Sequence, residues 1–130
     1  MDLAGAKQTV FDLLATDADG TPDDSLEYVV RVYKGEPRAG ALMLPVSVTV
    51  VTDSMDAETI GLTVRVYAKP DTDAQGVQDW LDITIEAVER LLDDQTAGSQ
   101  FTRGSWSIAY APDIDSFVAS CPMTCARTDY

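Results

Sequence analysis

The densest cluster of chemically capable side chains is Asp17-Ala18-Asp19-Gly20-Thr21-Pro22-Asp23-Asp24. Clustered carboxylates are what a hard cation such as calcium takes as ligands. The spacing does not suit it. Counted from Asp17, a helix–loop–helix calcium site needs glycine at its sixth position and glutamate at its twelfth, where Pro22 and Tyr28 stand. Asp, Gly and Pro together favour turns, so the stretch reads as an Asp-rich turn. Asp113-Ile114-Asp115 offers a second carboxylate pair, the raw material of general acid–base catalysis. Nothing beside it in the sequence would desolvate it, and no nucleophile or cation accompanies it, so it reads as a solvated loop.

The remaining routes to catalysis are short of parts. The chain has no histidine, which removes imidazole bases and His-ligated metal sites. Ser and Thr are plentiful, but without His or a Ser-x-x-Lys pattern no hydroxyl is activated. Gly35 and Gly40 flank Pro37 without the Lys-Ser/Thr ending of a phosphate-binding loop. Cys121 and Cys125 fall in one expected strand, where four residues at ~3.3 Å each set their Cα atoms about 13 Å apart. A disulfide tolerates about 7 Å, and two thiols alone do not make a four-ligand zinc site. They read as small buried apolar residues in a protein kept in a reducing compartment. The expectation is a protein that is not an enzyme, with no catalytic residue, no metal and no cofactor.

Two features point to surfaces instead. Ala39-Gly40-Ala41-Leu42-Met43-Leu44-Pro45 is an apolar run in what must partly be a loop. Leu42, Met43 and Leu44 either begin the second strand and enter the core, or form a sticky segment that docks on another subunit. The second feature is the outward face of the first three strands, with Arg31, Tyr33, Thr49, Thr63, Arg65, Tyr67 and Lys69. It is either a solvated sheet face or an interface between copies, since Tyr and Arg bury large area while keeping their polar ends satisfied. The candidate interface residues are therefore Leu42, Met43, Leu44, Arg31, Tyr33, Arg65, Tyr67 and Lys69.

Charge sharpens that reading. Nine Lys+Arg against 22 Asp+Glu give a formal charge of −13. Such a chain does not grip nucleic-acid phosphates over a broad surface. Arg31, Lys34, Arg38, Arg65 and Lys69, more than half of the nine cations, lie in the stretch holding the first three strands, while helices and loops carry most of the acid. Acidic edges facing the basic strands of a neighbour would let identical subunits close a ring head to tail.

The elements that must position these residues follow from periodicity. At 130 residues and 45% apolar content the chain suits one domain, residues 1–130, with its own core. No apolar run is long enough to span a membrane, and the N-terminus lacks the basic start and apolar run of a secretory signal. Leu3, Ala6, Val10, Leu13 and Leu14 make one stripe of a helix over 2–15, capped by Asp2. Strands are expected over 28–34, 46–52 and 62–69, with residues 53–61 as a connection. Val77, Trp80, Leu81, Ile85, Val88, Leu91 and Leu92 form the stripe of a long helix over 73–94. Strands over 105–110 and 117–127 follow. In the last, Phe117, Ala119, Cys121, Met123 and Cys125 share a face, and Pro122 implies an edge position or a bulge. The fold class is α+β, a mainly antiparallel sheet with helices on one face, in the order α-β-β-β-α-β-β.

This arrangement resembles the tail terminator proteins of long-tailed bacteriophages, especially phages of actinobacteria. The resemblance is carried by the short N-terminal helix, the strand pair with its protruding connection (45–52 and 62–68), Tyr67-Ala68-Lys69-Pro70 leading into the long helix, and the closing strands from Trp106-Ser107-Ile108-Ala109-Tyr110 onward. The ending Cys121-Pro122-Met123-Thr124-Cys125 departs from typical members. The resemblance implies a structural virion protein that forms a ring of itself, a hexamer, on the last ring of tail tube protein. It would stop tube polymerisation and meet the head–tail connector or stopper, with DNA passing through unbound and no membrane involved. Assembly would take place in the host cytoplasm. Other neck components (a head-completion, stopper or minor tail protein) and a monomeric protein-binding adaptor domain are the alternatives.

Overall fold

The first helix, α1 (Leu3–Leu14), starts where the sequence places its cap: the Asp2 carboxylate accepts from the Gly5 N–H at 2.7 Å. Its buried face is Ala6, Val10, Phe11 and Leu14, with Leu3 and Leu13 only half-buried. The expected stripe counts Leu13 and omits Phe11, yet of these two flanking residues it is Phe11 that is buried. The sheet lies on the Phe11 side. A computed structural model describes residues 1–35, 46–69, 74–94 and 101–128.

After α1 come β1 (Val29–Lys34), β2 (Val46–Met55), β3 (Thr59–Ala68), α2 (Ala74–Asp94), β4 (Phe101–Arg103), β5 (Ser107–Ala111) and β6 (Ser116–Ala126). The architecture is α+β, and the order agrees with that expected, with β4 as an added short strand. The six strands form one sheet in the order β1-β2-β3-β6-β4, and β5 lies beside β6 next to β4. Among the described strands only the β1–β2 pair is parallel.

Register explains the core. Val46, Val48 and Val50 face Ala68, Val66 and Val64 across β2–β3, and Leu62, Val64 and Val66 face Met123, Cys121 and Ala119 across β3–β6. These buried rows form an aliphatic floor. Helix α1 packs over β1 and β2, and α2 over β3, so both helices take the same face. Val77, Leu81, Val88 and Leu92 of α2 are buried, joined by Thr84 and Ala87, which the apolar stripe did not include. Trp80, Ile85 and Leu91 are half-buried at its margins. Trp80 stacks on Tyr28 with centroids 5.8 Å apart.

Three expectations change. The stretch 53–61 is not one long connection. Strands β2 and β3 extend to Met55 and Thr59, leaving a three-residue turn, Asp56 to Glu58. The Asp56 carboxylate closes it by accepting from the Glu58 and Thr59 N–H groups at 2.8 Å each. Asp53, Ser54 and Thr59, polar and exposed, hide these strand ends from an apolar-pattern reading, although Ile60 beside them is buried.

Second, Pro122 is in an interior strand, because β6 pairs with β3 on one side and with β4 and β5 on the other. The Pro122 carbonyl accepts from the Gly104 N–H at 2.8 Å. In antiparallel pairing a residue's N and O point to the same neighbour. The missing N–H of Pro122 therefore points at the break between β4 and β5, where no strand donor is required. A Cβ on Gly104 would sit 2.5 Å from Pro122 Cγ, so the interruption is tight.

Third, the centre of the sheet's other face is not solvated. Ser47, Thr49, Thr63 and Tyr67 are buried there. Register places Ser47 between Arg31 and Tyr67, and Thr49 between Tyr33 and Arg65, so each small residue has long neighbours on both sides. No helix among the described residues is long and apolar enough to cross a membrane.

Candidate interaction surfaces

Asp17 and Asp23 of the Asp-rich stretch are engaged within their own loop. Asp17 Oδ1 accepts from the Asp19 and Thr21 N–H groups at 3.0 and 3.2 Å, and Oδ2 from the Thr21 hydroxyl at 2.7 Å. The Thr21 hydroxyl first, then the backbone donors, hold the Asp17 carboxyl below its ordinary value. Asp23 similarly accepts from the Ser25 N–H and hydroxyl. The turn is fastened to the sheet by the Val32 N–H, which donates to the Gly20 carbonyl at 2.9 Å. Gly20 has φ +88° there, and a Cβ would fall 2.0 Å from the Val32 carbonyl oxygen. These acids therefore build a loop that covers one sheet edge. Among the described residues, no group of three or more His, Cys, Asp or Glu is placed to hold a metal.

Asp113 and Asp115 lie on the exposed turn between β5 and β6, with Asp115 at φ +48°. The Tyr110 hydroxyl donates to Asp115 Oδ1, and that bond, chiefly, raises the Tyr110 pKa. The arrangement makes the tyrosine a fixed donor and braces the hairpin.

Cys121 and Cys125 are both buried and free. Burial pushes both thiols up, against a smaller lowering of Cys121 by Arg103. Cys121 Sγ donates to the Gly104 carbonyl at 3.5 Å. A raised thiol under a strand is a poor nucleophile and a good small core residue. Arg103 pairs with Asp93 through Nε at 2.9 Å and with Glu89 through Nη2 at 2.8 Å, tying β4 to α2.

The interface residues expected from sequence divide into two groups. Leu42, Met43 and Leu44 lie outside the described residues. The others come together. Tyr33, Thr49 and Arg65 form one cross-strand row, and Arg31, Ser47 and Tyr67 form the next. Arg31 is exposed, its guanidinium 5.2 Å from the Tyr33 ring centroid. Tyr33, Arg65 and Lys69 are half-buried, whereas Tyr67 is 6% exposed and already belongs to the subunit's interior. The patch thus offers chiefly Arg31, Tyr33, Arg65 and Lys69.

Along the β2–β3 hairpin the charge is polarised. The tip and its arm carry Asp53, Asp56 and Glu58, all exposed, while Arg65 and Lys69 lie toward the other end, with Arg31 alongside on β1. Arg127 reaches the tip, its guanidinium donating to the Asp56 carbonyl at 3.1 Å.

The strand expected over 105–110 lies at Ser107–Ala111 and carries a surface that the candidate residues do not include. Ile108 is 55% and Tyr110 47% exposed, two of the large apolar side chains left open among the described residues. Both point to the face that the helices cover elsewhere, opposite Ala119 and Phe117. The signal available in the sequence was an uncharged strand, Ser107 to Ala111, in a strongly acidic chain. No protein-family model matches this chain, and no curated protein matches it.

Proposed function

We propose that this chain is a structural subunit that assembles head to tail with copies of itself, and that the assembly is a hexameric ring of the tail-terminator kind. Such a ring would cap the tube of a long phage tail and meet the head-side connector. The observation that carries the reading is the charge polarity of the β2–β3 hairpin. A basic sheet patch at one end and an acidic tip at the other are complementary but different surfaces. That is the requirement for a contact that repeats in one direction and closes into a ring. The tail-terminator assignment rests on the resemblance in element order. In this reading no bond is made or broken, and the subunit acts by shape and charge alone.

The acidic balance fits the same role. A formal −13 per copy, repeated six times, gives a wall that repels phosphates over a Debye length of about 8 Å at physiological salt. DNA can then pass without sticking.

Light scattering after size exclusion, with and without tail tube protein, tests the reading. A hexamer, or a small free species that becomes a ring only on tubes, supports it. Ring yield should fall as salt rises, and Arg31→Glu should lower it further while leaving the fold intact. A species that ignores tubes and forms no ring at any salt concentration overturns it and favours the adaptor reading.

A further inference from the structure

We infer that β5 is a self-recognition strand: two copies of this chain pair through it, antiparallel, about a two-fold axis at Ala109. The inference does not rest on the ring reading, because a two-fold contact closes at two copies, whereas a ring contact runs head to tail.

The sheet ends in two differently finished edges. On the β1 side the Asp17–Leu26 loop lies against the strand, with Gly20 accepting from Val32 and the Ala15–Pro22 bridge holding the loop's base. On the other side β5 pairs with β6 alone among the described strands. An open edge presents unpaired N–H and C=O groups, and natural sheets guard such edges with Lys, Pro, a bulge or a cover. Ser107-Ile108-Ala109-Tyr110-Ala111 has neither Lys nor Pro, and its register with β6 runs unbroken.

The strand is also suited to itself. The register that pairs all five residues sets Ala109 opposite Ala109 of the second copy, Ile108 opposite its Tyr110, and Ser107 opposite its Ala111. Each pair of copies gains two β-branched–aromatic cross-strand contacts, the kind that stabilises antiparallel sheets. Because the axis is perpendicular to the sheet, Ile108, Tyr110 and Phe117 of both copies line one trough between the two helical layers. No charge lies within the ladder, so two acidic chains meet without setting carboxylate against carboxylate. A second copy is therefore the occupant that the chemistry favours. A five-residue ladder is small for an interface, which implies weak, concentration-dependent pairing.

The test uses sedimentation equilibrium on the full chain from about 1 to about 500 µM, a range that spans weak association. Wild type should shift from monomer to dimer, and the Ile108 and Tyr110 amides should gain hydrogen-exchange protection as concentration rises. Ala109→Asp and Ala109→Lys should each weaken dimerisation at least tenfold by setting like charges opposite each other, while an equimolar mixture of the two should recover it. Unchanged circular dichroism checks that both fold; should either not fold, the wild-type exchange experiment carries the test alone. Concentration-independent exchange in β5, a wild type monomeric throughout, a dimer that both variants leave intact, or loss in both without recovery on mixing would overturn the inference. So would protection that appears only when another protein is added.

Discussion

The two edges of this sheet differ in what finishes them. The β1 edge is closed by a loop fastened at several points: Asp17 holds the turn, Gly20 lies against Val32, and Tyr28, just before β1, receives Trp80 from α2. The opposite edge is broken. Strands β4 and β5 run end to end along β6, interrupted where Gly104 meets Pro122, and among the described strands β5 pairs with β6 alone. The contrast shows where stability and where association are located. A covered edge converts its loop residues into structural ones, so that Asp17 and Asp23, which look available as ligands, hold the turn instead. A bare edge contributes little to its own subunit and is left for another.

That comparison predicts a graded series of effects. The largest is expected at Gly20. Its positive φ alone costs a non-glycine residue about 1–2 kcal/mol, and a Cβ would also collide with the Val32 carbonyl. Gly20→Ala should therefore lose roughly 3 kcal/mol in urea unfolding, within the range of strong single-site effects. A loss below about 1 kcal/mol would mean that the loop does not hold the β1 edge. Gly104→Ala tests the broken edge. The new methyl would meet Pro122 Cγ at 2.5 Å, an overpacking of the kind that costs about 1–3 kcal/mol. It should destabilise less than Gly20→Ala, because the proline ring can shift more readily than a backbone carbonyl. Trp80→Ala comes next. A fully buried tryptophan costs about 3–5 kcal/mol on truncation, but this one is half-buried in its stack on Tyr28, so about 1.5 kcal/mol is expected.

Much of this structure was readable from the chain, and the parts that were not share a physical cause. Apolar periodicity identified α2 and alternation identified the buried face of β6, because both are decided by burial. Periodicity favours Leu13 over Phe11, and the structure reverses this, because the two flank the same helix face and the sheet takes the Phe11 side. It also misses the end of β2 and the start of β3, where Ser54 and Met55, both exposed, pair with Gly61 and Ile60 beyond a register shift at Asp53. Pro122 implies an edge position or a bulge, and the structure has neither: β6 is interior and in unbroken register with β3, and the missing N–H is matched by a break in the neighbouring strand. Among the candidate surface residues, alternation placed Arg31, Tyr33, Arg65 and Tyr67 on one face. It could not show that Tyr67 is already buried within the subunit, which depends on what packs above the sheet.

The smallest effect concerns the Asp17 turn, and its sign follows from proton linkage. The Thr21 hydroxyl and the backbone donors hold the folded carboxyl below its value of 3.8 in an unfolded chain. The folded protein thus binds this proton less readily than the unfolded one. Asp17 therefore contributes stability that is fully present above pH 3.8 and is lost as pH falls through the lowered folded value. Asp17→Asn keeps an acceptor oxygen for the turn but cannot ionise. Comparing urea midpoints of the two proteins between neutral pH and pH 3 isolates the charge. Wild type should be the more stable at neutral pH, and the gap should narrow below pH 3.8 as its carboxyl takes up a proton. A gap that stays constant across that range would mean that the carboxylate's charge has no part in holding the loop. The closure of the β1 edge would then rest on Gly20 and the backbone alone.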